Sequence, residues 1–114
     1  QFPLQHRRDL SEAAARQYWL QSHGPLIRQH APDSGIARYV QVHRLDHPVN
    51  ANIAAALGFE CPVYLGHAEV WVGPGGGTQD ARRQASRAAV EDEAKFIDFA
   101  ASTLFAGIEI RLIE

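Results

Sequence analysis

Six histidines stand in a chain of 114 residues, and some sit where an imidazole could move a proton. His23 follows Trp19 by four positions, so on a helix the two share a face. An indole beside the ring desolvates it, lowers its pKa and favours the neutral base, the form suited to an enolisable carbon. The same position also suits a buried histidine that caps helix-end carbonyls before Gly24 and Pro25. His67 and Glu69 lie two apart, hence on one face of a strand, and an acid beside an imidazole orients it. Tyr39 and His43 share a strand face less directly, as two of an alternating set with Gln41. If both strands turn the same face, His43, His67, Glu69, Tyr39 and Trp71 make one cluster. In it a tyrosine hydroxyl, Tyr39 or Tyr18, would hold a carbonyl oxygen. Glu69 alternatively forms a structural ion pair with Arg111 or Arg38.

Other chemistries find less support. His43, His47, His67 and Glu69 would offer two imidazoles and a carboxylate to a metal, but in no recognised ligand spacing, so no metal and no cofactor are expected. Gly73 to Gly77 lacks the Lys-Ser/Thr of a phosphate loop. Cys61 is the single cysteine, which rules out an intrachain disulfide and a cysteine zinc cage. It has no basic neighbour to make a reactive thiolate. His6 and His30 have no sequence partner and are expected at the surface.

The formal charge of −2 offers no basic field for nucleic acid or an acidic membrane. No apolar run approaches the ~20 residues of a membrane span, and no signal-peptide pattern is present. A cytoplasmic location is therefore expected. The absence of methionine suggests that the native start lies elsewhere. The length suits one domain, residues 1–114, with its own core.

The elements that must position these groups follow in order. Phe2 to His6 reads as a first strand. Ser11 caps a helix whose stripe is Ala15, Trp19, His23 and Leu26, ended or kinked by Gly24-Pro25. Ala31 to Gly35 reads as a turn and Ile36 to Arg44 as a strand. Leu45 to Pro62 is a long loop with a short helix at Asn50 to Leu57. Val63 to Val72 is a strand that turns Leu65, His67, Glu69 and Trp71 one way. Thr78 caps a helix with an alanine stripe that runs on toward Phe99. Phe96, Ile97 and Phe99 are its core anchors, and Asp92, Glu93 and Lys95 its solvated face. Gly107 to Ile113 is a last strand, with Glu109 and Arg111 on the face opposite Ile108, Ile110 and Leu112. The order β-α-β-β-α-β predicts an α+β, ferredoxin-like fold: a four-stranded antiparallel sheet with both helices on one face. The other face would expose Trp71, Tyr39 and Leu65. Pairing two such sheets as a homodimer would bury that patch and enclose a cavity.

The segments R-R-D-L-S (Arg7 to Ser11), Y-W-L-Q-S-H-G-P-L (Tyr18 to Leu26), R-Y-V-Q-V-H (Arg38 to His43), H-A-E-V-W-V (His67 to Val72) and D-E-A-K-F-I-D (Asp92 to Asp98) resemble the EthD family. The family usually has Asp-Gly where this chain has Leu65-Gly66. The resemblance implies a homodimeric α/β barrel. Founding members accompany the degradation of ethyl tert-butyl ether, and relatives resemble cofactor-free decarboxylases and cyclases of polyketide-type precursors. The expected ligand is thus a hydrophobic aromatic or polyketide-type carbonyl compound, and the expected chemistry that of a lyase, cyclase or isomerase. Non-catalytic accessory binding and cofactor-independent monooxygenation are the alternatives. His23, His67, Glu69 and Tyr39 are the expected catalytic set. Tyr18, Trp19, Gln41, His43, Leu65, Trp71, Glu109 and Arg111 would line the pocket.

Overall fold

A computed structural model describes residues 1–113 of the chain. Ser11 accepts the Ala14 N–H on its hydroxyl (3.1 Å) and opens α1 (Glu12–Tyr18). Of the two outcomes expected at Gly24-Pro25, an end and a kink, the helix does not end there. It widens into a π turn (Trp19–His23), where the Gly24 N–H reaches back five residues to the Trp19 carbonyl, and continues as α2 (Gly24–Ser34). Pro25 explains the widening. It has no N–H, and in a regular helix its ring would strike the carbonyl four residues back. The extra residue in the turn leaves both Trp19 and His23 buried. The expected turn from Ala31 is therefore helical up to Ser34, and Gly35, in the left-handed region at φ 75°, closes it.

Three antiparallel strands, β1 (Phe2–Leu4), β2 (Ile36–His43) and β3 (Gly66–Val72), form a sheet in the order β1-β3-β2. Tyr39 lies opposite Val70, Gln41 opposite Ala68 and His43 opposite Gly66. Val40 and Val42 face Glu69 and His67 across the other surface. An irregularity between Ile36 and Arg38 shifts the register. It puts Ile36 on the same side as Tyr39, against the simple alternation.

α3 (Pro48–Leu57) starts earlier than expected, because His47 Nδ1 accepts the Val49 N–H (3.0 Å) as its cap. α4 (Gln79–Glu93) opens on Thr78, whose hydroxyl accepts the Ala81 N–H (3.1 Å). It ends at Glu93, earlier than the sequence suggests. Phe96 and Ile97 enter the core, while Phe99 stays exposed in a 3-10 turn (Phe99–Ala101). α2 and α4 lie on one face of the sheet, over the core of Leu4, Ala15, Trp19, Leu65, Ala68, Phe96 and Ile97.

The expected fourth strand is not formed. The N–H groups of Thr103 and Phe105 donate to the Pro3 and Gln1 carbonyls (both 3.1 Å), an antiparallel approach to β1. Past Phe105 no strand among the described residues lies alongside to continue the ladder, and Ile108, Ile110 and Leu112 are exposed.

Trp19 packs closely on the sheet at Gly66. A Cβ there would overlap the Val42 carbonyl and stand 3.1 Å from the indole. Gly66→Ala is expected to cost about 2–4 kcal/mol in urea unfolding. Gly107→Ala, in open space, should stay within ~0.5 kcal/mol of the parent chain. Equal stability of all three proteins would refute the tight approach.

Candidate active site

Between the sheet and the helix pair α2 and α4 lies a cavity of about 300 Å³. The two helices run antiparallel: His23 at the start of α2 meets Glu93 at the end of α4, and Asp33 at the other end accepts the Gly77 N–H (3.0 Å). Ile27, Ala85, Ala89, Ala68 and Val70 give the cavity apolar walls. At one end stand Trp19, His23, Tyr39 and Glu93. This cavity is on the helix-covered face, distinct from the one that dimer pairing was expected to enclose on the open face. A wider groove of about 470 Å³ runs along α2 and the β2 edge, lined by Arg28, Arg38 and Gln41 among others, and holds no carboxylate or imidazole.

His23 is nearly sealed from water and makes the decisive contact. Its Nδ1–H donates to Asp92 Oδ2 (2.8 Å), and its Nε2 stands 3.7 Å from Glu93 Oε1. Asp92 also accepts the Tyr18 hydroxyl (2.5 Å) and lies 3.4 Å from Lys95 Nζ. Burial alone would raise the Asp92 pKa. The hydrogen bonds from Tyr18, His23 and Lys95 outweigh it and hold the carboxyl below its ordinary value. An ionised Asp92 accepts only, so the His23 proton sits on Nδ1 and the Nε2 lone pair is left facing the cavity. Burial pushes the His23 pKa down, against the pull of Asp92. Neutral His23 is therefore the resting form. Glu93 has no such donors. Burial, and then the charge of Asp92, push it up to about 7. A neutral base thus sits next to a carboxyl that is partly protonated near neutrality, the pairing that acid–base chemistry needs.

Tyr39 adds a donor. Its hydroxyl oxygen accepts from Trp19 Nε1 (3.3 Å) and Gln41 Nε2 (3.1 Å). Its own proton has no acceptor among the described residues and is free for a carbonyl oxygen in the cavity. Burial raises its pKa, so the phenol keeps that proton. Gln41 also donates to the Trp19 carbonyl (2.9 Å) and fixes the π turn. His43 stacks on Trp19 with ring centroids 4.4 Å apart and contacts Gln41 Oε1 at 2.8 Å, behind the cavity.

The single cluster of His43, His67, Glu69, Tyr39 and Trp71 is divided by the sheet. Tyr39 and His43 face the helices, while His67, Glu69 and Trp71 face the other way, because the register pairs them with Val42, Val40 and Arg38 rather than with His43, Gln41 and Tyr39. Glu69 pairs with neither Arg111 nor Arg38. It accepts from Gln1 Nε2 (2.9 Å) and lies 3.6 Å from His67 Nε2. Trp71 donates to Glu109 (2.7 Å), Glu109 accepts from Arg111 (2.8 Å), and the Arg38 guanidinium stacks 4.4 Å over the indole. Leu65, expected in the pocket and on the open face, is core. It precedes β3 and donates its N–H to the Leu4 carbonyl (2.9 Å). Tyr18 reaches the site only through Asp92. The four groups weighed as metal ligands are scattered over both faces and the α3 cap. Among the described residues, no group of three or more His, Cys, Asp or Glu side chains could hold an ion.

Asp92 and Glu93, read from sequence as a solvated face, are the residues that reasoning missed. Their signal was present: Ala85, Ala89, Asp92 and Phe96 recur at helical spacing, so a carboxylate stands in the apolar stripe.

The family model described as EthD domain matches residues 7–100. No curated protein and no solved structure matches the chain. The described residues contain no helix long and apolar enough to cross a membrane.

Glu93 should tax the fold in a pH-dependent way. Its carboxyl is neutral in the folded chain up to about 7 but ionises near 4.5 when unfolded. The folded state binds the extra proton in that window, so stability falls as pH rises through it. Glu93→Gln is expected to stabilise the protein by about 1–3 kcal/mol at pH 8 and to leave it unchanged at pH 4. Urea unfolding at both pH values checks this; a gain that is equal at both, or absent, would contradict the raised pKa.

Proposed function

The chain belongs to the EthD family, and from that premise we propose that it binds a hydrophobic aromatic or polyketide-type carbonyl compound in the helix-covered cavity and transfers a proton on it without a cofactor. The supporting observation is His23, held by Asp92 with Nε2 free at an apolar cavity wall beside Glu93. The phenol of Tyr39 would hold the carbonyl oxygen. His23 Nε2 would take the proton from the adjacent carbon and leave an enolate that is reprotonated at another carbon (isomerisation) or attacks an electrophilic carbon of the same ligand (cyclisation); from a β-keto acid, loss of CO2 would form the enolate in place of that proton transfer. Protonated Glu93 would return a proton. Asp92 stabilises the imidazolium that forms, and Tyr18 and Lys95 keep Asp92 ionised.

Deuterium uptake at C2 of 1-tetralone, followed by NMR, tests the chemistry with a bicyclic enolisable ketone. His23→Gln should slow the catalysed exchange about 10²–10⁴-fold without loss of fold. The rate needs neutral His23 and protonated Glu93. It should fall below the ordinary imidazole value of 6.5 as His23 is protonated, and on the alkaline side around 7 as Glu93 ionises. Glu93→Gln should remove the alkaline limb. Binding of the ketone with no exchange above background would leave the accessory-binding reading standing in place of the catalytic one.

The open sheet face, with Val40, Val42, Trp71 and the Arg38 guanidinium stacked on it, is the surface through which we propose that two chains pair as a barrel. Light scattering should give twice the monomer mass at micromolar concentration, and Val40→Asp should halve it. A parent chain that runs as a monomer refutes the pairing.

A further inference from the structure

Resting on the reading of the helix-covered cavity as a ligand site, we infer that its ligand is elongated and ends in an anionic group, which Arg82 receives at the mouth. The two antiparallel helices lay matching stripes along the cavity. On α4, Arg82, Ser86, Ala89 and Glu93 recur every three or four residues, and on the π turn and α2 that follows it His23, Ile27, His30 and Ser34 do the same. Both stripes span eleven residue steps, roughly 16 Å of helix. The acid–base groups mark one end and the apolar residues the middle. His30, expected at the surface, stands with Ser34, Ser86 and Arg82 at the other end.

Arg82 is held ready rather than neutralised. Nη2 donates to the Gly75 carbonyl (2.6 Å) and Nε to the Gly77 carbonyl (3.3 Å), both uncharged acceptors. Among the described residues no carboxylate stands within ion-pair distance of it, unlike Arg7, Arg16, Arg44 and Arg111. The glycine-rich loop makes this cradle. A Cβ at Gly76, which sits at φ 127°, would stand 2.5 Å from the guanidinium, and one at Gly35 would stand 3.2 Å from Nη1. The loop thus wraps and fixes the cation without screening its charge, leaving N–H groups in a rigid fork suited to a carboxylate. The ionised Asp92 repels an anion from the opposite end. A ligand with one apolar body and one carboxylate therefore enters in a single orientation, with the carboxylate at Arg82 and the far end of its apolar body toward His23.

Calorimetric titration with 6-phenylhexanoate and its methyl ester tests the assignment. The parent chain should bind the acid about tenfold more tightly than the ester, and less so at high salt. Arg82→Gln should abolish that preference and leave the affinity for the ester within about threefold. Ser86→Asp, which keeps the loop contacts of Arg82, should also reduce it, whereas His23→Gln should not. An acid preference that survives Arg82→Gln, or is lost in His23→Gln instead, overturns the inference and leaves the ligand site intact. Equal binding of acid and ester does the same. Binding of neither compound overturns the ligand site itself.

Discussion

An imidazole shut away from water must find an acceptor for its N–H, and in this fold the acceptor comes from the other end of the chain. The His23–Asp92 hydrogen bond joins the π turn before α2 to the last turn of α4, 69 residues later. Breaking it would leave a buried charge on Asp92 and an unmet donor on His23, a penalty well above the worth of an ordinary hydrogen bond. The pair therefore fixes which turn of α4 lies against α2, and with it the stripes that each helix turns toward the cavity. Pro25 serves the same end. By forcing the turn before it to widen, it swings His23 inward where a straight helix would have kept to its own register.

The cluster around that bond is satisfied unevenly. Asp92 receives Tyr18 and His23 and lies near Lys95, whereas Glu93, one residue on, receives none of them. Two adjacent carboxyls share an environment that can stabilise one negative charge. The result is a resting state with an ionised Asp92, a neutral His23 and a Glu93 that titrates near neutrality. A core selected for stability alone would not keep Glu93. Its place beside a free imidazole lone pair supports the proposed acid–base role.

Much of this was legible in the residues. Ser11 and Thr78 mark helix starts, the Trp19–His23 spacing marks the inward stripe, and β2 and β3 show their alternation. The two sheet faces were not legible, because a slip of one position reverses every side chain beyond it. The irregularity between Ile36 and Arg38, and the start of β3 just after Leu65, leave no mark in composition. Asp92 was hidden for a different reason: charged residues near a helix end are usually solvated, and only the alanines in line with it show that it points inward. The segment from Gly107 to Ile113 alternates as a strand should, but alternation supplies no partner, and β1 is too short to provide one.

The sheet then separates two kinds of surface with one set of strands. Tyr39, Ala68 and Val70 face the helices and the proposed chemistry, while Val40, His67, Glu69 and Trp71 alternate with them on the open side. Each face constrains the other through register. A substitution that shifted β2 by one residue would carry Tyr39 out of the cavity and bring Val40 in, and would at the same time place a phenol on the surface proposed for pairing. Gly66 guards against that slip. Its bare backbone lets Trp19 press on β3 at the one point where His43 and the indole stack, so the helix face can seat on the sheet in a single register. The close approach at a glycine thus preserves both the position of Tyr39 in the site and the composition of the opposite face.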